Sequence, residues 1–161
     1  MKINNYVWSQ FGASINMLEN AIDACPENVW NQQKEFSDFW YIVYHTLFWL
    51  DFYLTENPEK FVPFQSIGLS ELDPEGIMPD REFSKEELKA YLNHCRIKCK
   101  ETIFNQSELQ ENSDYKFGTL TMPFYELFFY NMRHVQHHVA QLNLLLRQQT
   151  DSAPKWVRRN G

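Results

Sequence analysis

The chain has 161 residues, enough to close one complete hydrophobic core and few for two domains of ordinary size. Apolar residues make up 43% and aromatics 16%, with thirteen Phe, eight Tyr and five Trp to fill an interior. The formal net charge of −6 excludes the broad cationic footprint with which proteins hold nucleic acid, and Lys155, Arg158 and Arg159 are too few to replace it.

The start, MKINNYVWSQ, lacks a basic segment followed by an apolar run and does not read as a signal peptide. A first helix is expected from about Asn5 to Ala24, where Val7, Phe11, Ile15, Leu18 and Ile22 recur at helical spacing. Pro26 closes it, and PENVW adds a short turn. A second helix is expected from about Asp38 to Glu56, capped by Ser37 and stopped before Pro58. Its stretch FWYIVYHTLFWLDFYL carries a His and an Asp and is too short and too polar to span a membrane.

A connection over roughly 57–83 follows, punctuated by Pro58, Pro63, Pro74 and Pro79. Connections this long usually cross over a fold or cover a site. The third helix opens at SKEE, with Ser84 and Glu87 spaced as a capping box, and runs to about Gln106. SELQENSDYKFGTL is a polar link, and KFGTLTM is not assigned a strand. The fourth helix is expected from near Thr121, with Pro123 tolerated in its first turn, to about Gln149. The elements predict an all-α four-helix bundle with a long crossover between helices 2 and 3, as a single domain over 1–161. The three cysteines have no disulfide-framework spacing, which points to a reducing cytoplasm.

Three of the five histidines fall in HVQHH, on the fourth helix. With His134 at zero on a wheel of about 100° per residue, the apolar stripe runs from roughly 20° to 140°. That stripe comprises Phe124, Leu127, Phe128, Val135, Val139, Leu142, Leu145 and Leu146. His138 falls at about 40°, inside the stripe, His134 at its edge, and His137 at about −60°, outside it. Residues at i and i+4 stack on one helix face, so His134 and His138 have the spacing of two ligands to one ion. His45 sits mid-way along the second helix among Tyr41, Ile42, Phe48, Trp49 and Phe52. Any one of these residues alone is simply a hydrogen-bonded core histidine. Together they offer three neutral nitrogen ligands on two helices of one bundle, with coordination positions left open as in a catalytic site. No Glu lies three residues before any His, which excludes the ferritin-like di-iron pattern. Val135 stands where a zincin has its Glu, which removes the built-in base of that peptidase chemistry.

The helix-two histidine in YHTLFWLDFYL and the helix-four motif HVQHHVAQL resemble the DinB/YfiT-like superfamily, with its H-x-x-H-H-x-x-Q-L pattern. The resemblance extends over the whole chain, through the crossover to the closing PKWVRR. It implies a metal-binding four-helix bundle with His45, His134 and His138 as ligands and nickel, zinc, manganese or iron as the ion. It implies as activities the transfer of low-molecular-weight thiols such as bacillithiol, mycothiol-dependent isomerisation, or a role beside sulfoxide-synthase domains. The chain departs from many relatives at Val139, where they carry Arg followed by Gly.

An ion held by three imidazoles keeps its full charge. With zinc it lowers the pKa of a bound water from ~9 toward ~7, and it equally favours a thiolate. The leading expectation is a metal-dependent thiol transferase or hydrolase acting on a small molecule, and the alternative is a non-enzymatic metal-binding or stress-response protein. No residue stands out as a general base. Gln141 and Asn131 are candidates to support the ligands and Asp38 to line the mouth, each with a plain structural role as the simpler reading. Cys95 and Cys99, one helical turn apart beside His94, read as buried thiols. The all-round apolar character of helix two, with Leu144 and Tyr130 outward on helix four, points to a homodimer unless a loop covers the helices.

Overall fold

The computed structural model describes residues 2–31, 38–65, 67–105 and 113–160. Its elements are α1 (Lys2–Ala24), α2 (Glu27–Trp30), α3 (Phe39–Tyr53), α4 (Lys85–Phe104), β1 (Asp114–Phe117), β2 (Leu120–Pro123) and α5 (Phe124–Thr150). Short 3-10 turns at Pro58–Lys60 and Ser70–Leu72 punctuate the crossover. The fold is the expected all-α bundle. No helix among the described residues is long and apolar enough to cross a membrane.

α1 and α3 lie diagonally, and each packs against both α4 and α5. Contact order along the chain fixes the directions. Leu50 O accepts from Asn131 and His45 meets His134, so α3 and α5 are antiparallel. Leu47 O accepts from Cys95 and Asp51 pairs with Lys98, so α3 and α4 run parallel. Parallel neighbours require the chain to return along the bundle. For the 15 residues of α3 that is roughly 22 Å, which is why residues 54–84 form a long crossover rather than a tight turn.

The crossover explains the apolar character of α3. Phe61 packs edge-on against Phe48 and Phe52, and Phe83 stacks on Tyr44 at 5.2 Å. Phe117 of the hairpin reaches Phe52 at 4.7 Å. The face of α3 that the sequence offered as an argument for a homodimer is therefore covered within one chain. Asp51, fully buried, is satisfied by Lys98 Nζ at 2.6 Å and by the Tyr91 hydroxyl at 3.1 Å.

Three boundary expectations need correction. β1 and β2 pair antiparallel across a two-residue turn, in the segment that carried no strand assignment. Gly118 adopts φ +55 there, a left-handed conformation that costs glycine nothing. Pro123 ends β2 and caps α5, which starts at Phe124 rather than Thr121; the missing proline N–H leaves no ladder bond to lose at that place. α3 stops at Tyr53, before Glu56. It is preceded by Asp38 as N-cap, and the Ser37 cap lies outside the described residues, as does the Gln106 end of α4. The Ser84–Glu87 capping box forms as expected.

The C-terminal segment returns along α1. Asn160 donates its backbone N–H to Ser9 O at 2.9 Å, and its side chain accepts from Asn16 at the same distance. Gly12 makes the seat, since a Cβ there would meet the Asn160 side chain at 2.7 Å.

Candidate metal centre

The antiparallel pairing of α3 and α5 sets His45 opposite the turn of α5 that carries His134 and His138. Val135, Val139 and Leu142 are fully buried beside them and fix the rotation of α5 about its axis. Val139 thus serves as a core residue. The ring nitrogens converge: His138 Nε2 lies 3.1 Å from His134 Nε2, which lies 3.4 Å from His45 Nε2. The rings of His45 and His138 meet edge-on with centroids 4.7 Å apart. One ligand atom from each histidine lies within 4.8 Å of the others, the only such group of three or more His, Cys, Asp or Glu among the described residues.

Two of the opposite ring nitrogens are anchored, while His134 Nδ1 is buried with no hydrogen-bond partner among the described residues. His45 Nδ1 lies 2.7 Å from Glu71 Oε2, which also accepts from Trp49 Nε1 at 2.9 Å. His138 Nδ1 lies 2.7 Å from Gln141 Oε1. A carboxylate and an amide oxygen accept only, so both Nδ1 atoms carry the proton and both Nε2 lone pairs face the common centre. Lone pairs brought this close repel unless a proton or a cation lies between them.

The imidazolium form is disfavoured there. Burial, and then the neighbouring imidazoles, push His134 down to about 3. Burial also pushes His138 down to about 4, against the opposing pull of Gln141. At neutral pH both are neutral imidazoles, the form that binds metal. Burial alone would raise the Glu71 carboxyl, but its bonds to His45 and Trp49 outweigh that and hold it below the usual range. Glu71 is therefore an anion beside the centre. The donor set of three converging imidazoles, one of them backed by a carboxylate, fits a divalent ion.

A cleft of about 480 Å³ opens on His45 and His138, lined further by Tyr41, Ile42, Gln141, Leu144, Leu145 and Gln148. Of the expected supporting residues, the structure brings only Gln141 to a ligand. Asn131 is fully buried one turn before His134, and its amide donates to Leu50 O at 3.1 Å, tying α5 to α3. Asp38 sits at the start of α3 and accepts from Trp40 Nε1 at 3.2 Å; it is not among the described residues lining the cleft. His137 is exposed, as the wheel indicates. Cys95 and Cys99 are fully buried, and burial pushes both thiols well above the usual range, which keeps them protonated. His94 stacks on Phe64 at 4.7 Å, away from the triad.

Sequence reasoning missed Glu71. It lies on the Ser70–Leu72 turn of the crossover, where no periodicity assigns a direction to a side chain. Only the general rule that long ordered connections cover sites pointed there.

A model of the DinB superfamily matches residues 10–142, most of the chain, and the match includes all three histidines. No curated protein and no solved structure matches the chain.

Proposed function

The chain belongs to the DinB superfamily, and from that premise and the geometry of the triad we propose that it binds a divalent metal ion through His45, His134 and His138. We take it to use that centre as a metal-dependent transferase of low-molecular-weight thiols or as a hydrolase. The observation that carries this reading is the convergence of three Nε2 atoms whose opposite nitrogens, on His45 and His138, are tied to Glu71 and Gln141. A divalent ion held there supplies Lewis acidity, which favours the thiolate or hydroxide form of a nucleophile at neutral pH. The rest is work for the chain. Glu71 orients His45 and adds one negative charge beside the ion. Gln141 fixes the tautomer of His138. Tyr41, Ile42, Leu144 and Leu145 narrow the approach and exclude water. Three imidazoles suit zinc, nickel or iron better than manganese, which prefers oxygen donors.

One observation favours the non-enzymatic reading: the carboxylate beside the centre, Glu71, is engaged by His45 and Trp49, and no other carboxylate stands out as a base there among the described residues. Three ligands instead of the four usual in a structural site favour the enzyme. Metal-loaded protein assayed with a panel of thiol cosubstrates and of esters and amides decides between them. Turnover that disappears with the metal supports the enzyme; inert protein whose melting temperature alone falls on metal removal supports the alternative. A cytoplasmic setting and a homodimer belong to the same proposal, and sedimentation as a monomer ends the second.

A further inference from the structure

The cleft that leads to the triad has a chemical character of its own. It meets His45 and His138, so the His45–His138 edge is one side of the centre open to an incoming ligand, while His134 borders a separate depression with Tyr130, Arg133, Gln136 and His137. Beyond those nitrogens its described walls are the ring of Tyr41, the side chains of Ile42, Leu144 and Leu145, and the neutral amides of Gln141 and Gln148. Among the described lining residues there is no Lys, Arg, Asp or Glu. The Gln141 oxygen is taken by His138, which leaves its NH2 to donate to a carbonyl or hydroxyl on whatever enters.

We infer that the ligand of this cleft carries a single thiol on an uncharged, largely apolar body, rather than a thiol built on several carboxylates. The inference rests on the metal-centre reading above and narrows its substrate class. The sulfur binds at the centre as thiolate, with its proton released to solvent, and the body lies along Ile42, Leu144 and Leu145. An ionised substituent placed there loses water without gaining a counter-ion among the described residues. A methylene placed there is removed from water, and each one fully buried tightens binding by about fourfold. The cleft volume of about 480 Å³ falls within the range of small-molecule sites and accommodates a chain of several carbons.

The test uses the full chain loaded with cobalt(II) and follows the sulfur-to-metal charge-transfer band. Straight-chain thiols from propanethiol to octanethiol are titrated beside mercaptosuccinate. The expected result is a rise of about two- to fourfold in affinity per added methylene over the first members, with mercaptosuccinate weakest. Leu144→Lys, at a position 55% exposed and so tolerant of the change, is expected to flatten the ladder and strengthen mercaptosuccinate. A flat ladder in the wild type, a preference for the dicarboxylate, or cobalt binding with no thiol band each overturns the inference while leaving the metal centre standing. A flat ladder from a protein that sediments as a dimer assigns the same wall to a second copy instead. Failure to bind cobalt at all overturns the metal centre itself, and the inference with it.

Discussion

Glu71 reaches down from the crossover and accepts the Nδ1–H of His45 at 2.7 Å, so a loop residue sets the direction in which a helix residue offers its lone pair. The same oxygen accepts from Trp49, and the neighbouring Ser70 is bonded to the Tyr44 hydroxyl at 2.8 Å, which fixes the turn on α3. Glu71→Gln keeps the shape and removes the charge. Metal affinity is expected to fall by roughly 10–100-fold, as for other carboxylates behind ligating histidines. Isothermal titration measures it. A purely structural Glu71 leaves the affinity unchanged and lowers only the melting temperature.

The depressed histidines make the metal-free protein sensitive to acid. His134 at about 3 and His138 at about 4 both lie below the ordinary 6.5, so between these values the unfolded chain binds more protons than the folded one. Stability then rises with pH across that window and is lost as pH falls from about 6.5 toward 3. Thermal melts of metal-free protein at stepped pH check this. His134→Gln is expected to give a shallower slope, and equal slopes contradict the assignment.

Gly12 sits in the interior of α1, where Ala is ordinarily favoured by about 1 kcal/mol. Here the added Cβ meets Asn160 at 2.7 Å and lifts the C-terminal segment from its bonds to Ser9 and Asn16. Gly12→Ala is expected to destabilise the intact chain by about 1 kcal/mol, since overpacking typically costs about 1–3. In a chain shortened by its last two residues the same substitution is expected to stabilise. The reversal of sign, read from denaturant melts, is the test.

Asp51 and Lys98 form an ion pair at 2.6 Å with Asp51 fully buried. Lys98→Met strands that carboxylate with only its remaining neighbours and is expected to cost about 3–5 kcal/mol. Replacing Asp51 by Leu as well is expected to recover most of the loss. Chemical denaturation of the single and double variants measures the difference.

The helices and the inward histidines were legible because both rest on a period. The apolar stripe of α5 separated His134 and His138 from His137 without a structure, and Ser84 with Glu87 marked the start of α4. The hairpin was not legible, since Lys116 to Met122 is short and its pairing depends on Gly118 taking a positive φ. Nor was Glu71, whose role arises from the path of the crossover rather than from any spacing. The apolar excess of α3 was read as a contact with a second copy, whereas Phe61, Phe83 and Phe117 of the same chain meet it. Composition records that a face is buried and is silent on what buries it.

The most direct measurement is metal content and cobalt(II) affinity of protein purified without a histidine tag, beside its His45→Ala variant. The triad predicts one equivalent bound per chain in the wild type, with a visible spectrum typical of low coordination. It predicts at least a hundredfold weaker binding in the variant, since two imidazoles on one helix then remain. Undiminished metal content in His45→Ala contradicts the three-histidine centre.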